Sequence, residues 1–359
     1  MLVHICCSVD SHYFLEKLRE DFPNEKLIGF FYDPNIHPYS EYKLRFLDVK
    51  YSCELLGIEL IEGPYDVEAW LELVKGLENE PEKGDRCTVC FDTRLEVSGK
   101  KAIELGCKSF TTSLLISPKK SQEKIEIIGQ KLAIEYDLKF IFKDYRVGNG
   151  MELQGKAVKE NQLYRQNYCG CLFGITAQRI QQEKLLDEMI SPINNQILPE
   201  SIEERIALYE LRSQLSKENK EFKIIKQRFL NYRLLNGFVT INKKVIPSYF
   251  LPYSTLKNKK TAGIIEYTIE NISYLNRDEV KVISLSSFNI LANQNFKTIY
   301  ELMYHKLSFE EELKIREKIL NNPFDLSCVI ILENTPTSKI EISLDSMVFD
   351  DIKEKIIDL

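Results

Sequence analysis

Residues 26–38 read Lys-Leu-Ile-Gly-Phe-Phe-Tyr-Asp-Pro-Asn-Ile-His-Pro, an apolar run, Lys26–Tyr32, that gives way to a loop, Asp33–Pro38. The run has the length and composition of a buried strand, and two prolines with an Asp and an Asn enforce the loop. Toward the N-terminus, Leu2–Cys6 is a second short apolar run, followed by Tyr13, Phe14, Leu15 and Leu18 at helical spacing. In the other direction Ser40 is expected to cap a helix through Tyr42, Phe46, Val49 and Leu55 to Gly57. Ile58–Ile61 then reads as a strand, Val67–Val74 as a helix, and Glu78–Asp85 as a polar turn. Arg94–Leu105 reads as a helix, Phe110–Ser113 as a strand, Ser121–Tyr136 as a long amphipathic helix and Lys139–Phe142 as one more strand. Short apolar strands alternating with helices give an α/β class, a parallel sheet with helices on both faces. Ligands bind such sheets at the carboxyl ends of the strands, where the Cys6-Cys7 pair and the Asp33–Pro38 loop both begin.

The pattern changes near residue 190, where Pro192, Asn194, Asn195 and Pro199 mark a boundary between residues 1–189 and 190–359. Ser201–Ser216 and Phe222–Leu235 read as helices, the second stopped by Gly237. Phe238–Ile241, Val245–Phe250, Gly263–Ile269, Val280–Leu285, Val329–Leu332 and Ile340–Ser343 are rich in β-branched and aromatic residues between turns, and this half is expected to be a separate α+β domain. Two domains suit a chain of 359 residues.

With 44% hydrophobic and 28% charged residues the chain is neither disordered nor collagenous. Its net charge of −6 gives no global basic field. Residues 1–100 hold 11 basic and 20 acidic side chains, whereas residues 101–185 hold 14 and 9; the excess in the second stretch is either a solvated helix face or a positive side of the first domain where an anionic substrate would dock. No apolar run approaches the roughly 18–20 residues of a membrane span. The beginning lacks a basic leader, so a cytoplasmic, reducing setting is expected, in which nine cysteines serve metal binding or catalysis more than disulfides.

Six of the nine are paired: Cys6-Cys7, Cys87-x-x-Cys90 and Cys169-x-Cys171. One tetrahedral zinc takes four thiolates, so six imply more than one metal atom or a metal beside a redox thiol pair. Metal cluster, structural zinc and dithiol redox chemistry all stay open on spacing alone. Asp10 offers an oxygen ligand to a harder iron centre. Cys53, Cys107 and Cys328 are expected to be inert core thiols, and His4 and Trp70 core residues. His37, in a loop, suits ligand contact. Ser117-Pro118-Lys119-Lys120 before Ser121 is either a phosphate seat at a helix N-terminus or a capped surface helix.

The blocks His4-x-Cys6-Cys7, Phe31–Pro38 with Glu41-Tyr42 and Arg45, and Gly76-Leu77-Glu78 resemble the QueH family, the cobalamin-independent epoxyqueuosine reductases. The likeness continues through Pro81-Glu82-x-Gly84-x-Arg86-Cys87-x-x-Cys90-Phe91, Arg94-Leu95, Thr111–Pro118 and Tyr164-Arg165-Gln166-x-Tyr168-Cys169-Gly170-Cys171, in order over residues 2–174. The resemblance implies a sheet similar to the HUP-like nucleotide-binding domains, a 4Fe–4S cluster and an additional iron ion. The implied reaction is the last step of queuosine synthesis, in which epoxyqueuosine in the tRNA anticodon loop loses its epoxide oxygen, with electrons from an external donor. By position, Cys6, Cys7, Asp10, Cys87, Cys90, Cys169 and Cys171 are the metal candidates, with Cys6, Cys7, Asp10 and His37 catalytic. Asn35, Tyr42, Arg45, Arg86, Lys120 and Arg165 are the candidates for holding substrate. No glycine follows in Cys6-Cys7-Ser8-Val9-Asp10-Ser11, so no ATP is expected, which separates this reading from an ATP-using tRNA thiolase on the same sheet. A zinc-dependent RNA-binding module is the other alternative. In the second half Lys223, Lys226, Arg228, Arg233 and Lys257–Lys260, beside Phe229 and Tyr232, are the residues expected to grip tRNA if that half does so.

Overall fold

The computed structural model describes residues 1–190, 196–277, 280–305 and 307–359; Pro192, Asn194 and Asn195 of the expected boundary lie outside them. The chain forms two compact units, one of residues 1–189, 205–224 and 356–359, the other of residues 190–204 and 225–355. Among the described residues no helix is long and apolar enough to cross a membrane.

In the first unit strands β1 (Leu2–Ile5), β2 (Ile28–Phe31), β3 (Glu59–Glu62), β4 (Ser109–Thr112) and β5 (Lys139–Phe140) form one sheet in the order β3-β2-β1-β4-β5. Every pairing is parallel, with Leu2 opposite Ile28 on one side and Phe110 on the other. β1 is buried along its whole length, which is why it reads as a continuous apolar run without alternation. Helices α1 (Ser8–Asp21), α2 (Tyr39–Leu56), α3 (Val67–Leu73), α4 (Asp85–Glu104), α5 (Gln122–Glu135), α6 (Gly150–Glu160) and α7 (Leu172–Gln181) complete the layers. α1 packs against α2 and α6, and α4 against α5. One core joins Phe14 and Leu18 of α1, Phe30 and Phe31 of β2, Leu95 of α4, Phe110 of β4 and Ile128 of α5. The parallel sheet expected from the sequence is thus present. Strand order reverses between β1 and β4, so the crevice of this sheet opens at their carboxyl ends, where Cys6-Cys7 and the Ser113–Lys120 stretch stand.

Local differences from the sequence reading have physical causes. α2 begins at Tyr39 with Pro38 as N-cap and no side-chain cap, so Ser40 lies inside the helix. α4 begins at Asp85, nine residues ahead of Arg94, and carries the C-x-x-C on its first turns.

α8 (Ile202–Lys217) follows, and its residues from 205 onward belong to the first unit. Its Arg212 is wholly buried, hydrogen-bonds the equally buried Asp48 of α2 and stacks 3.7 Å from the Tyr51 ring. Asp48 also accepts from the Ser8 hydroxyl and from the Tyr164 N–H at 3.0 Å. One carboxylate therefore ties the start of α1, α2, α8 and the segment leading to Cys169 together.

The second unit is sheet-rich, as expected. β10 (Ile265–Ile269), β11 (Ile272–Leu275), β12 (Lys281–Ser284), β13 (Val329–Leu332) and β8 (Ser248–Phe250) form a mixed sheet in that order, parallel only between β12 and β13. A second sheet has the order β7 (Lys244–Ile246), β6 (Phe222–Ile241), β14 (Ile340–Asp358), β9 (Lys260–Gly263). Helices α9 (Leu285–Ala292), α10 (Ile299–Tyr304) and α11 (Phe309–Leu320) accompany them. The expected helix over Phe222–Leu235 is instead most of β6: its spaced apolar residues mimic a helix, but pairing with β14 gives its Ile, Phe and Tyr side chains a pleated surface to pack on. Gly237 is no helix stop but a point inside β6 where the Phe250 ring would lie 3.0 Å from an added Cβ. Tyr232 and Arg233 are buried, bonded to the Ser254 carbonyl and the Pro199 carbonyl, so these two do not face a nucleic acid. Lys226, Arg228 and Lys257–Lys260 are exposed.

Replacing Arg212 by Met leaves Asp48 buried without its cation, which costs about 3–5 kcal/mol by analogy with other broken buried pairs. Urea unfolding is expected to show this loss, and the Asp48→Asn/Arg212→Met double variant to recover part of it.

Candidate functional site

The site is built where four connections meet. β1 ends at Ile5, and Cys7, in extended backbone, is the N-cap of α1. This sharp strand-to-helix turn leaves Cys6 partly exposed and places Asp10 in the first turn of α1, where the helix dipole favours a carboxylate. Cys6 Sγ lies 3.7 Å from Cys7 Sγ and 3.9 Å from Asp10 Oδ2, and one ligand atom of each lies within 4.8 Å of the others. Gln154 of α6 donates to Asp10 Oδ1 at 3.1 Å and to the Val9 carbonyl at 2.9 Å, which fixes the carboxylate. The hydrogen bond with Cys6, then burial, holds the Cys7 thiol well above the usual thiol range. Burial raises the Asp10 carboxyl, against the pull of the Lys120 charge.

Cys87 and Cys90 sit a turn apart at the start of α4. The Lys83 N–H reaches Cys87 Sγ at 3.3 Å. Cys90 packs with Trp70, Val74, Phe173 and Cys171, and burial pushes its thiol up to about 11. Burial also raises Cys171, the N-cap of α7.

The C-x-C is locked onto the loop after β2. Gly170 has φ +104°, and a Cβ there would meet Ile36 Cγ1 at 2.9 Å and Arg45 Nη1 at 3.1 Å, so only glycine fits between the two cysteines. Ile36 forms a β-bridge to Cys171, the His37 N–H donates to the Gly170 carbonyl at 2.8 Å, and the Tyr168 hydroxyl donates to the His37 carbonyl. Arg45 clamps the same turn through Nη1 to the Cys169 carbonyl at 3.1 Å and Nη2 to the Tyr168 carbonyl at 3.0 Å, while its Nε is held by Glu41 at 2.7 Å.

Lys120 ends the stretch after β4, and its Nζ lies 2.7 Å from Cys169 Sγ. Burial alone would raise the Cys169 thiol, but Lys120, helped by Arg94 and Arg45, brings it below the usual range. Arg94 of α4 is buried against Asp33, and its charge also reaches Cys6, Cys90 and Cys169. Burial drives Asp33 up to about 6 despite Arg94, and burial holds His4 well below the usual imidazole range between Thr112 and the Tyr32 carbonyl.

The structure therefore gathers Cys6, Cys7 and Asp10 into one group and sets Cys90 within reach of the charges of Cys169 and Cys171. His37 is partly buried, and the Asn35 carbonyl 3.0 Å from Nδ1 makes that nitrogen the donor. Asn35 is buried, and its Oδ1 has no hydrogen-bond partner among the described residues. Arg165 is exposed. Three of the substrate candidates are turned inward: Arg45 as above, Tyr42 onto Glu62 at 3.1 Å, and Arg86 onto the Leu77 and Glu78 carbonyls at 2.9 and 2.8 Å. Lys120 faces thiols where a phosphate seat was one of the expectations. Cys53 and Cys328 are buried, whereas Cys107 is partly exposed. Asp33, Arg94 and Gln154 were not singled out from the sequence; only Asp33 and Arg94 lay in motifs that pointed to them. Beside Cys171 an open cleft of about 770 Å³ is lined by Glu78, Glu80, Arg86, Lys119 and Phe173, among others.

Residues 1–177 match the family described as "Epoxyqueuosine reductase QueH". A protein of that name from Helicobacter pylori (strain ATCC 700392 / 26695) is 41% identical over 361 residues, covering 97% of each chain. Another from Streptococcus pyogenes serotype M1 is 36% identical over 186 residues, 50% of this chain and 72% of that one. A solved structure, the U34-tRNA thiolase NcsA from Methanococcus maripaludis with its 4Fe-4S cluster, is 19% identical with a TM-score of 0.32, over 60% of this chain and 73% of that one, too remote to bear on the site.

Arg45→Met is expected to cost roughly 3–5 kcal/mol of stability, because Glu41 is left buried without its cation. Arg165→Met, at an exposed position, is expected to stay within about 0.5 kcal/mol. Thermal unfolding of the two variants beside the parent chain checks both.

Proposed function

Because the chain belongs to the QueH family of epoxyqueuosine reductases, which are oxidoreductases, we propose that it takes the epoxide oxygen out of epoxyqueuosine in tRNA to leave queuosine, the last step of that nucleoside's synthesis, in the cytoplasm. The observation that carries this reading is the grouping of Cys6, Cys7 and the buried Asp10 at the crevice of a parallel sheet, with the Lys120 charge reaching Asp10, Cys87 and Cys169 and the Arg94 charge reaching Cys6, Cys90 and Cys169. Turning an epoxide into an alkene and water consumes two electrons and two protons, and no ordinary side chain supplies electrons. The donor set fits iron–sulfur chemistry: soft thiolates in surplus over one zinc, a hard oxygen at Asp10, and Lys120, Arg94 and Arg45 to balance the negative charge. Bound here, a 4Fe–4S cluster would supply electrons one at a time and an additional iron ion would act as a Lewis acid.

Cys6, Cys7 and Asp10, whose ligand atoms lie within 4.8 Å, are assigned to the single ion, which leaves Cys87, Cys90, Cys169 and Cys171 for the cluster. Gln154 keeps the Asp10 carboxylate oriented. His37, fixed through Nδ1, is assigned to face the departing oxygen and pass it a proton. The cleft of about 770 Å³ beside Cys171 has the size of a nucleoside pocket, with Phe173 offering a ring face and Lys119 a cation toward the tRNA backbone. Asn35 and Arg165 remain the polar contacts assigned to substrate. An external donor provides the electrons, and ATP has no place in the balance. Catalysis is assigned to residues 1–189, joined by 205–224, with the second unit as an accessory domain.

The test is made inside bacterial cells lacking their own epoxyqueuosine reductase, by measuring queuosine against epoxyqueuosine in digested tRNA. The parent chain is expected to convert the epoxide, Cys87→Ala and Cys169→Ala to abolish conversion together with iron and sulfide content, and Cys53→Ala and Cys328→Ala to retain both. Persistent epoxide beside soluble parent protein, or zinc without sulfide in that protein, overturns the reading.

A further inference from the structure

Three cations surround the thiols, and two have carboxylate partners: Arg45 has Glu41 and Arg94 has Asp33. Lys120 forms no ion pair with a carboxylate among the described residues, and its hydrogen-bond partner is Cys169 Sγ at 2.7 Å. The placement is held from the backbone. The Lys120 N–H closes a turn on the Ser117 carbonyl at 3.2 Å, and Ser121 next to it caps α5 through the Lys124 N–H at 3.3 Å. The Phe91 ring lies 6.0 Å from the ammonium on the side of α4.

Building on the iron–sulfur reading, we propose that Lys120 is a positioning residue that sets the reduction potential of the cluster, by donating an N–H···S hydrogen bond and a fixed positive charge to the ligand Cys169. When one electron enters the cluster its net charge falls by one and the sulfurs become more electron-rich. A cation and a donor fixed 2.7 Å from one of those sulfurs stabilise the reduced form more than the oxidised form, so the potential rises. Lys120 then makes the cluster easier to charge from a modest donor, and it does so without touching substrate.

The test compares the anaerobically purified full chain with its Lys120→Met and Lys120→Arg variants. Iron and labile sulfide are measured, and the cluster is titrated with dithionite and redox dyes while its paramagnetic signal is followed. Lys120→Met is expected to keep the cluster and to lower the one-electron reduction equilibrium at least tenfold, which corresponds to 59 mV. Lys120→Arg, which keeps charge and donor, is expected to stay within threefold of the parent. A fully loaded Lys120→Met with an unchanged potential overturns the proposal while the iron–sulfur reading stands. If the Met variant cannot hold the cluster, Lys120→Leu, equally without donor or charge, is titrated in its place, and an unchanged potential there overturns the proposal equally. A parent chain with no labile sulfide removes the reading and the inference together.

Discussion

The guanidinium of Arg45 is the fastener on which the cysteine constellation depends. It stands in α2, and it grips the carbonyls of Tyr168 and Cys169, more than 120 residues further along the chain. A loop of that length has no intrinsic reason to stop at the crevice, and closing it costs conformational entropy that local contacts cannot offset. Arg45 offsets it with two charge-assisted hydrogen bonds made away from water, held in turn by Glu41 beneath. The bridge from Ile36 to Cys171 and the left-handed Gly170 then fix the orientation of the two thiols to either side.

Around that closure the protein sets a gradient of thiol acidity. Cys7, Cys90 and Cys171 are held above the ordinary range by their surroundings, whereas Cys169 beside Lys120 is brought below it. A thiolate in such a set forms only by driving a proton out of a low-dielectric position. The buried cations lower that cost by meeting the negative charge that replaces those protons. The benefit is mutual, because Arg45 and Arg94 without anions around them would themselves be costly to bury.

Much of this was legible in the sequence. β1 and β2 announce themselves as short apolar runs that end at cysteines or prolines, and buried parallel strands have no other pattern to show. The three cysteine pairs stand out because thiols are rare and their spacing is tight. What stayed hidden is partnership. Nothing in the spelling of residues 42–45 or 86 says whether Arg45 and Arg86 reach outward to an anion or inward to a carbonyl, because that depends on loops that arrive from far away. Phe222–Leu235 carries apolar residues at intervals that satisfy a helix, and only β14, more than a hundred residues later, decides for a strand. Gln154 and Arg212 sit in stretches with no motif at all, although one orients Asp10 and the other neutralises Asp48.

The tie between Asp48 and Arg212 has a consequence for the birth of the molecule. The two residues are 164 positions apart, and the first unit also draws on residues 356–359. At a synthesis rate of about 5–20 residues per second, roughly 8–33 s pass between the appearance of the acid and that of its partner. The last of the six paired cysteines, Cys171, is made 41 residues before Arg212, so for roughly the final 2–8 s of that interval all six are present without it. The growing chain thus carries its thiols complete but its scaffold unfinished. In that window the sulfurs lack the buried pair that ties α2 to α8. The order of synthesis thus sets how long those thiols wait for the last fixed neighbour of their scaffold.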